Sequence, residues 1–250
     1  MASWIFLRGL SRESGHWGGF VDTFQSSFPS DPLVLLDLPG NGVLHHQNSP
    51  THVPAMVEAY RTQLAQRGMA PPYHLLALSL GGMVAVAWAQ THPHEVAGQV
   101  LINTSMRPFS PFYQRLRPAN YLLLLRLVLP GCSDAVLERT VLNMTSACAN
   151  PDVLDDWLAL RQRHPVSTRN TLAQLLAAAR FQATRRPPPV ATLVLASTHD
   201  QLVSVRCSLA LAAAWRSPLQ VHPWAGHDLP LDDGAWVTQQ IAQWRVTNLS

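Results

Sequence analysis

A serine attacks an acyl carbon only when a nearby base takes its proton and a third group orients that base. This 250-residue chain carries one candidate for each role. Ser79 lies in Leu75-Leu76-Ala77-Leu78-Ser79-Leu80-Gly81-Gly82, an apolar run that meets small residues and opens into a helical pattern. A serine on such a strand-to-helix corner lifts its hydroxyl above a sheet, and the N–H groups at the helix start face the same space. The elbow pattern is G-x-S-x-G, and Ala77 stands at its first glycine, a change that keeps the position small.

His227 is the candidate base, in the Gly226-His227 turn that follows the last apolar run. The acid is expected between Ser79 and His227, at the end of a strand. Leu193-Val194-Leu195-Ala196-Ser197-Thr198-His199-Asp200 supplies Asp200 there. The other strand-end position reads Asn103-Thr104-Ser105 and offers no carboxylate, while Asp228 adjoins the histidine too closely to swing onto its ring. An oxyanion needs backbone donors, and Gly9, just past the first strand, lets the next amide turn inward. Leu10 and Leu80 N–H are the expected pair.

These residues need a scaffold that brings strand ends together. Strands are predicted at Ser3–Leu7, Leu33–Asp37, Tyr73–Leu78, Gln99–Asn103, Ala191–Ala196 and Leu219–His222. Helices are predicted at His16–Phe28, Val53–Gln66, Leu80–Thr91, Val203–Trp215 and from about Asp233. Near-continuous apolar strands alternating with helices imply an α/β fold with a doubly wound parallel sheet. From Pro108 to about Thr184 no strand pattern occurs, only helical stretches at Phe112–Leu129, Ser133–Ala147, Pro151–Gln162 and Ser167–Gln182. The domain expectation is a core of residues 1–106 and 187–250 with an all-helical insertion at 107–186.

The order Ser79, Asp200, His227, their strand-end positions and the segment Asp37-Leu38-Pro39-Gly40-Asn41-Gly42 resemble the α/β-hydrolase superfamily over nearly the whole chain. More narrowly, the chain resembles its compact capped serine hydrolases, similar to the carboxylesterases that release pimeloyl esters in biotin synthesis. Three positions depart from that pattern. Arg8-Gly9 replaces the usual His-Gly after the first shared strand, Asn41 replaces the histidine of D-x-P-G-H-G, and the usual N-terminal hairpin is missing, so about six strands are expected. The resemblance implies that residues 107–186 form a cap over the site. Expected pocket walls are Leu10, Trp17, Leu142, Met144 and the stretch from Met106 to Phe112.

Composition narrows the chemistry. All eighteen basic residues are arginine, so lysine Schiff-base and lysine general-base mechanisms are excluded. Residues 107–186 hold eleven arginines against five acidic residues, a net +6 against −3 for the remainder. Arg107, Arg115, Arg117 and Arg126 are therefore candidates to attract a substrate carboxylate or phosphate. The arginines are scattered without interleaved aromatics or a binding module, so no nucleic-acid partner is expected. His45-His46 and His92-Pro93-His94 lack metal-ligand spacing, and neither metal nor cofactor is expected. No apolar run approaches the roughly 18 to 20 residues that a membrane span needs. The start at Met1 lacks a signal-peptide pattern, and three spaced cysteines make no disulfide framework, which together suggest a cytoplasmic protein.

The expected activity is hydrolysis of a small-molecule ester or thioester by a serine hydrolase of carboxylesterase or thioesterase type. Two other readings fit the same residues. One is a carbon–carbon bond hydrolase, or a lyase like that of menaquinone synthesis, acting on a carboxylate-bearing substrate. The other is a non-catalytic small-molecule receptor. Monomer and dimer both remain open.

Overall fold

The computed structural model describes residues 2–123 and 132–248. Six strands form one parallel sheet: β1 (Ser3–Leu7), β2 (Leu33–Leu35), β3 (Tyr73–Leu78), β4 (Val96–Ile102), β5 (Ala191–Ser197) and β6 (Leu219–His222), in the order β2-β1-β3-β4-β5-β6. The helices of eight or more residues are α1 (Phe20–Ser27), α2 (Val53–Gln66), α3 (Leu80–Thr91), α4 (Asp134–Thr145), α5 (Pro151–Arg163), α6 (Thr168–Arg180), α7 (Val205–Trp215) and α8 (Gly234–Asn248).

Alternation along the strands decides the layers, because successive side chains point to opposite faces. Ile5, Leu7, Leu75, Ala77 and Leu101 turn to one face, where α2, α3 and α7 cover them. Trp4, Phe6, Leu76, Leu78, Val100 and Ile102 turn to the other, where α1 and α8 pack through Phe20, Phe24, Val237, Ile241 and Trp244. Burial of both faces is what lets a parallel sheet read as near-continuous apolar runs. Among the described residues, no helix is long and apolar enough to cross a membrane.

Between β4 and β5 the described chain forms α4, α5 and α6 and adds no strand to the sheet. The ends of this β4–β5 segment lie side by side: Arg107 and Gln182 form a bridge, and Ala183 N donates to Arg107 O at 2.8 Å.

Several boundaries differ from the sequence expectation. The helix predicted over Phe112–Leu129 is interrupted: one turn at Phe112–Arg115 is followed by extended Leu116 and Arg117, a 3-10 turn at Pro118–Asn120 and helical residues 121–123. Pro118 accounts for the break, since its ring drives the preceding residue out of the helical region. Residues 124–131, which include Arg126, lie outside the described chain. The helix predicted over His16–Phe28 divides into a 3-10 turn at Ser14–Trp17 and α1, parted by Gly18 at φ +49°. The second strand stops at Leu35, not Asp37, and the Asp37 carboxylate accepts from the amides of Ser14 (2.7 Å) and Val43 (3.1 Å).

Candidate active site

All six strands run the same way, so the segments after β1, β3, β5 and β6 emerge at one edge of the sheet. That edge is where open α/β sheets build their sites. Ser79 follows β3 directly, with φ 56° and ψ −115°. A non-glycine residue held there stores on the order of 1–3 kcal/mol of strain, which the surroundings must sustain. They do so at the backbone: Ser79 N donates to Ile102 O at 2.9 Å, and Ser79 O accepts from Thr104 Oγ1 at 2.8 Å.

The small residues around Ser79 follow from close approach. A Cβ on Gly81 would sit 2.2 Å from Leu7 O, and one on Gly82 would sit 2.6 Å from Thr104 Oγ1. The start of α3 therefore lies directly on the ends of β1 and β4. Gly9 is less tightly pressed, its would-be Cβ 3.2 Å from the Ser79 Cβ, but it too brings the segment after β1 against the serine. Leu80 is the first residue of α3, and the first amides of a helix have no intrahelical acceptor. No hydrogen bond from Leu10 N to a protein acceptor occurs among the described residues.

Asp200 and His227 are brought together from the segments after β5 and β6. Asp200 Oδ2 meets His227 Nδ1 at 2.7 Å, and Asp200 Oδ1 accepts from the amides of Leu202 and Val203, both at 2.8 Å. Both residues are buried. Burial pulls the imidazolium of His227 down, but the charge and hydrogen bond of Asp200, helped by Asp228, outweigh it and leave the pKa above its ordinary value. Engagement of Nδ1 leaves Nε2 as the nitrogen free to face a reacting group. No hydrogen bond joins it to Ser79 Oγ here; such bonds often close only on substrate.

Asn103 takes a role that the sequence did not suggest. At the end of β4, with φ 45°, it donates from Nδ2 to Ser197 Oγ (3.0 Å), Gly226 O (3.2 Å) and His227 O (2.9 Å), while its Oδ1 accepts from Ser197 N (2.9 Å). One buried amide thus ties the ends of β4 and β5 to the histidine turn.

The β4–β5 segment also holds these turns. Arg117 Nη1 donates to Asp200 O at 2.8 Å, and Asn120 Nδ2 to Gln201 O at 2.6 Å. At the end of α4, Thr145 O accepts from Asp228 N at 2.7 Å. Asp232 accepts from Gly226 N (2.6 Å), Ala147 N (2.9 Å) and Ser146 Oγ (2.5 Å).

The expected pocket walls are placed differently. Trp17 is buried in the core, packed on Phe6 and Phe20 with its ring 4.6 Å from the Arg8 guanidinium. Leu142 is buried with Leu154 and Trp157 within the β4–β5 segment, Met106 is buried in the α2–α3 layer, and Met144 is buried near the end of α4. Leu10 is half-buried against the α2–α3 layer, and Phe112 is 72% exposed. Arg107 and Arg115 donate to the carbonyls of Arg180 and Ala178, as Arg117 does to Asp200, so each is engaged by the protein itself. Asn41 is a buried joint: its Nδ2 donates to Arg12 O (3.0 Å) and its Oδ1 accepts from Gln174 (2.8 Å). Among the described residues, no three His, Cys, Asp or Glu side chains gather as a metal-binding group.

A family model described as "Alpha/beta hydrolase family" matches residues 4–240. Among solved structures, the chain is similar to a thermophilic esterase from Thermogutta terrifontis, with a TM-score of 0.77 and 21% identity over 99% of this chain and 90% of that one. It is also similar to BpoC of Mycobacterium tuberculosis H37Rv, a candidate non-heme bromoperoxidase, at TM-score 0.77 and 17% identity over 99% and 92%. The esterase RhEst1 from Rhodococcus sp. ECU1013 matches at TM-score 0.74 and 17% identity over 97% and 90%. A search of curated proteins returns no match.

Proposed function

This chain belongs to the alpha/beta hydrolase family, and on that premise we propose that it is a serine hydrolase of carboxylic esters or thioesters. The observation that carries the proposal is the strained Ser79, pressed between Gly9 and α3, at the same sheet edge as a histidine whose Nδ1 is fixed by buried Asp200. Ser79 Oγ attacks the acyl carbon as His227 Nε2 takes its proton. Leu10 and Leu80 amides receive the oxyanion, and Asp200 holds the imidazole tautomer and stabilises its charged form. The tetrahedral adduct collapses when His227 returns the proton to the leaving oxygen or sulfur. Water, deprotonated by His227, then releases the acid from Ser79.

In this scheme residues 107–186 are the cap over the acyl site, as their grip on the turns of Asp200 and His227 suggests. No cofactor takes part. Cys132, Cys148 and Cys207 are free thiols, which suits a reducing cytoplasm.

The test is steady-state turnover of p-nitrophenyl acetate, butyrate, octanoate and laurate by wild type and Ser79→Ala. Turnover that depends on Ser79 is expected, with a chain-length optimum that measures the acyl pocket. Turnover that survives Ser79→Ala overturns the proposal. So does a protein inert to all four esters that instead cleaves a carbon–carbon bond or eliminates from a carboxylate-bearing substrate.

A further inference from the structure

Arg8 occupies the strand-end position directly before Gly9, beside the proposed oxyanion donor Leu10. A charged side chain at such a place must be solvated or paired, and Arg8 is 5% exposed. Its Nη1 and Nη2 reach the two carboxylate oxygens of Asp228 at 3.1 and 2.5 Å, an arrangement in which a planar guanidinium meets a carboxylate at two points. Asp228 is 3% exposed and is the residue next to His227. The face of the guanidinium rests on Trp17, and its Nε has no partner among the described residues. The pair spans 220 positions of sequence and joins the segment after β1 to the histidine turn.

We propose that Arg8 and Asp228 form a neutral charge frame for the reaction. The pair locks the oxyanion segment to the histidine turn and partly offsets the field that Asp228 alone would exert on His227. Both are positioning residues, and the inference rests on His227 acting as the base.

The charged groups around His227 come from three elements. Asp200 follows β5, Asp228 follows the histidine itself, and Arg8 follows β1. Asp228 favours the imidazolium and Arg8 disfavours it, so together they leave Asp200 in control of the proton. Ion pairing also explains how two charges can be buried beside a reacting histidine without an excess of either sign. A neutral histidine at the Arg8 position would supply no countercharge for Asp228.

The frame makes signed predictions for the acid limb of kcat/KM on p-nitrophenyl butyrate. Asp228→Asn leaves a guanidinium, which cannot lose its proton, alone beside His227, and moves the limb to lower pH by about 0.5 to 1 unit. Arg8→Gln leaves the opposite charge and moves the limb upward. The double variant Arg8→Gln/Asp228→Asn, which leaves no charge unpaired, returns the limb to its wild-type position. Its kcat falls by about tenfold because the link between the two segments is weakened.

If one single variant does not fold, the other reads the same frame with the opposite sign, and the double variant supplies the reference. A purely structural pair lowers kcat and leaves the limb where it was in every variant, which overturns the proposal. Shifts of the same sign in both singles overturn it as well. A wild-type profile with no histidine-like limb overturns the role of His227 itself, a result distinct from a normal limb that ignores these substitutions.

Discussion

Within the sheet, strands meet through Trp4, Phe6, Leu76, Val100, Ile102 and Leu195, all fully buried and apolar. The β4–β5 segment meets that core partly through apolar side chains such as Met106, Ala177 and Phe181, and partly through a seam of polar and charged groups. Arg12 pairs with Glu138 at 2.6 Å and lies over Trp157, His164 meets Glu13 at 2.7 Å, and Gln174 links Ser11, Asn41 and Ser49. Asn170 accepts from Ser49 N at 3.0 Å. Apolar contact is insensitive to direction and tolerates small shifts, whereas buried polar contact holds one geometry and is costly when half-made. The core thus sets which strand ends meet, and the polar seam sets how the helical segment sits over them.

The largest expected effect falls on the catalytic edge shared by both regions. Asp200→Asn keeps an acceptor for Leu202 and Val203 but removes the charge behind His227, and kcat falls by about 10⁴-fold. In wild type the rate rises with pH as the base loses its proton. Because the folded pKa of His227 is raised, the limb of kcat/KM lies above the 6.5 of a free histidine. In Asp200→Asn the residual activity shows that limb displaced to lower pH, since the attraction and hydrogen bond of Asp200 are gone. Stopped assays across the range check both statements, and an unshifted limb contradicts them.

Glu138→Gln sharpens the contrast between the regions. It leaves the largely buried Arg12 guanidinium without its carboxylate, a loss of about 3 kcal/mol felt at the seam. Hydrogen exchange accelerates in α4 and α5 while the amides of β3 to β5 keep their protection. Leu195→Ala, by contrast, costs about 2–5 kcal/mol in the sheet and accelerates exchange throughout. If both substitutions raise exchange uniformly, the two regions unfold as one and the contrast is wrong.

A smaller effect belongs to the segment alone. Ser167 caps α6 by accepting from Asn170 N at 3.1 Å. Ser167→Ala lowers stability by about 0.5–1 kcal/mol in denaturant unfolding and leaves kcat on short esters unchanged.

The same contrast explains what was legible in the sequence. All six strands could be located because parallel strands covered on both faces are runs of apolar residues, and Ser79, Asp200 and His227 could be placed because each follows such a run. The polar seam has no comparable signature. Nothing in the spacing of Arg12 and Glu138, or of Ser49 and Asn170, announces that they meet, since each pair joins distant segments through side chains alone. Asn103 registers in the sequence only as a missing carboxylate, although an amide at a strand end is well suited to gather three acceptors. Arg117-Pro118 carries a readable signal: the pre-proline restriction interrupts the helical pattern there, although apolar residues continue past it.

The central claim is that Ser79 is the nucleophile, and covalent labelling tests it most directly. After treatment with a fluorophosphonate, intact mass and a peptide map are predicted to show one adduct per chain, carried by Ser79, and none in Ser79→Ala. An unlabelled wild-type protein, or an adduct on another residue such as Ser11 or Ser105, would contradict the account.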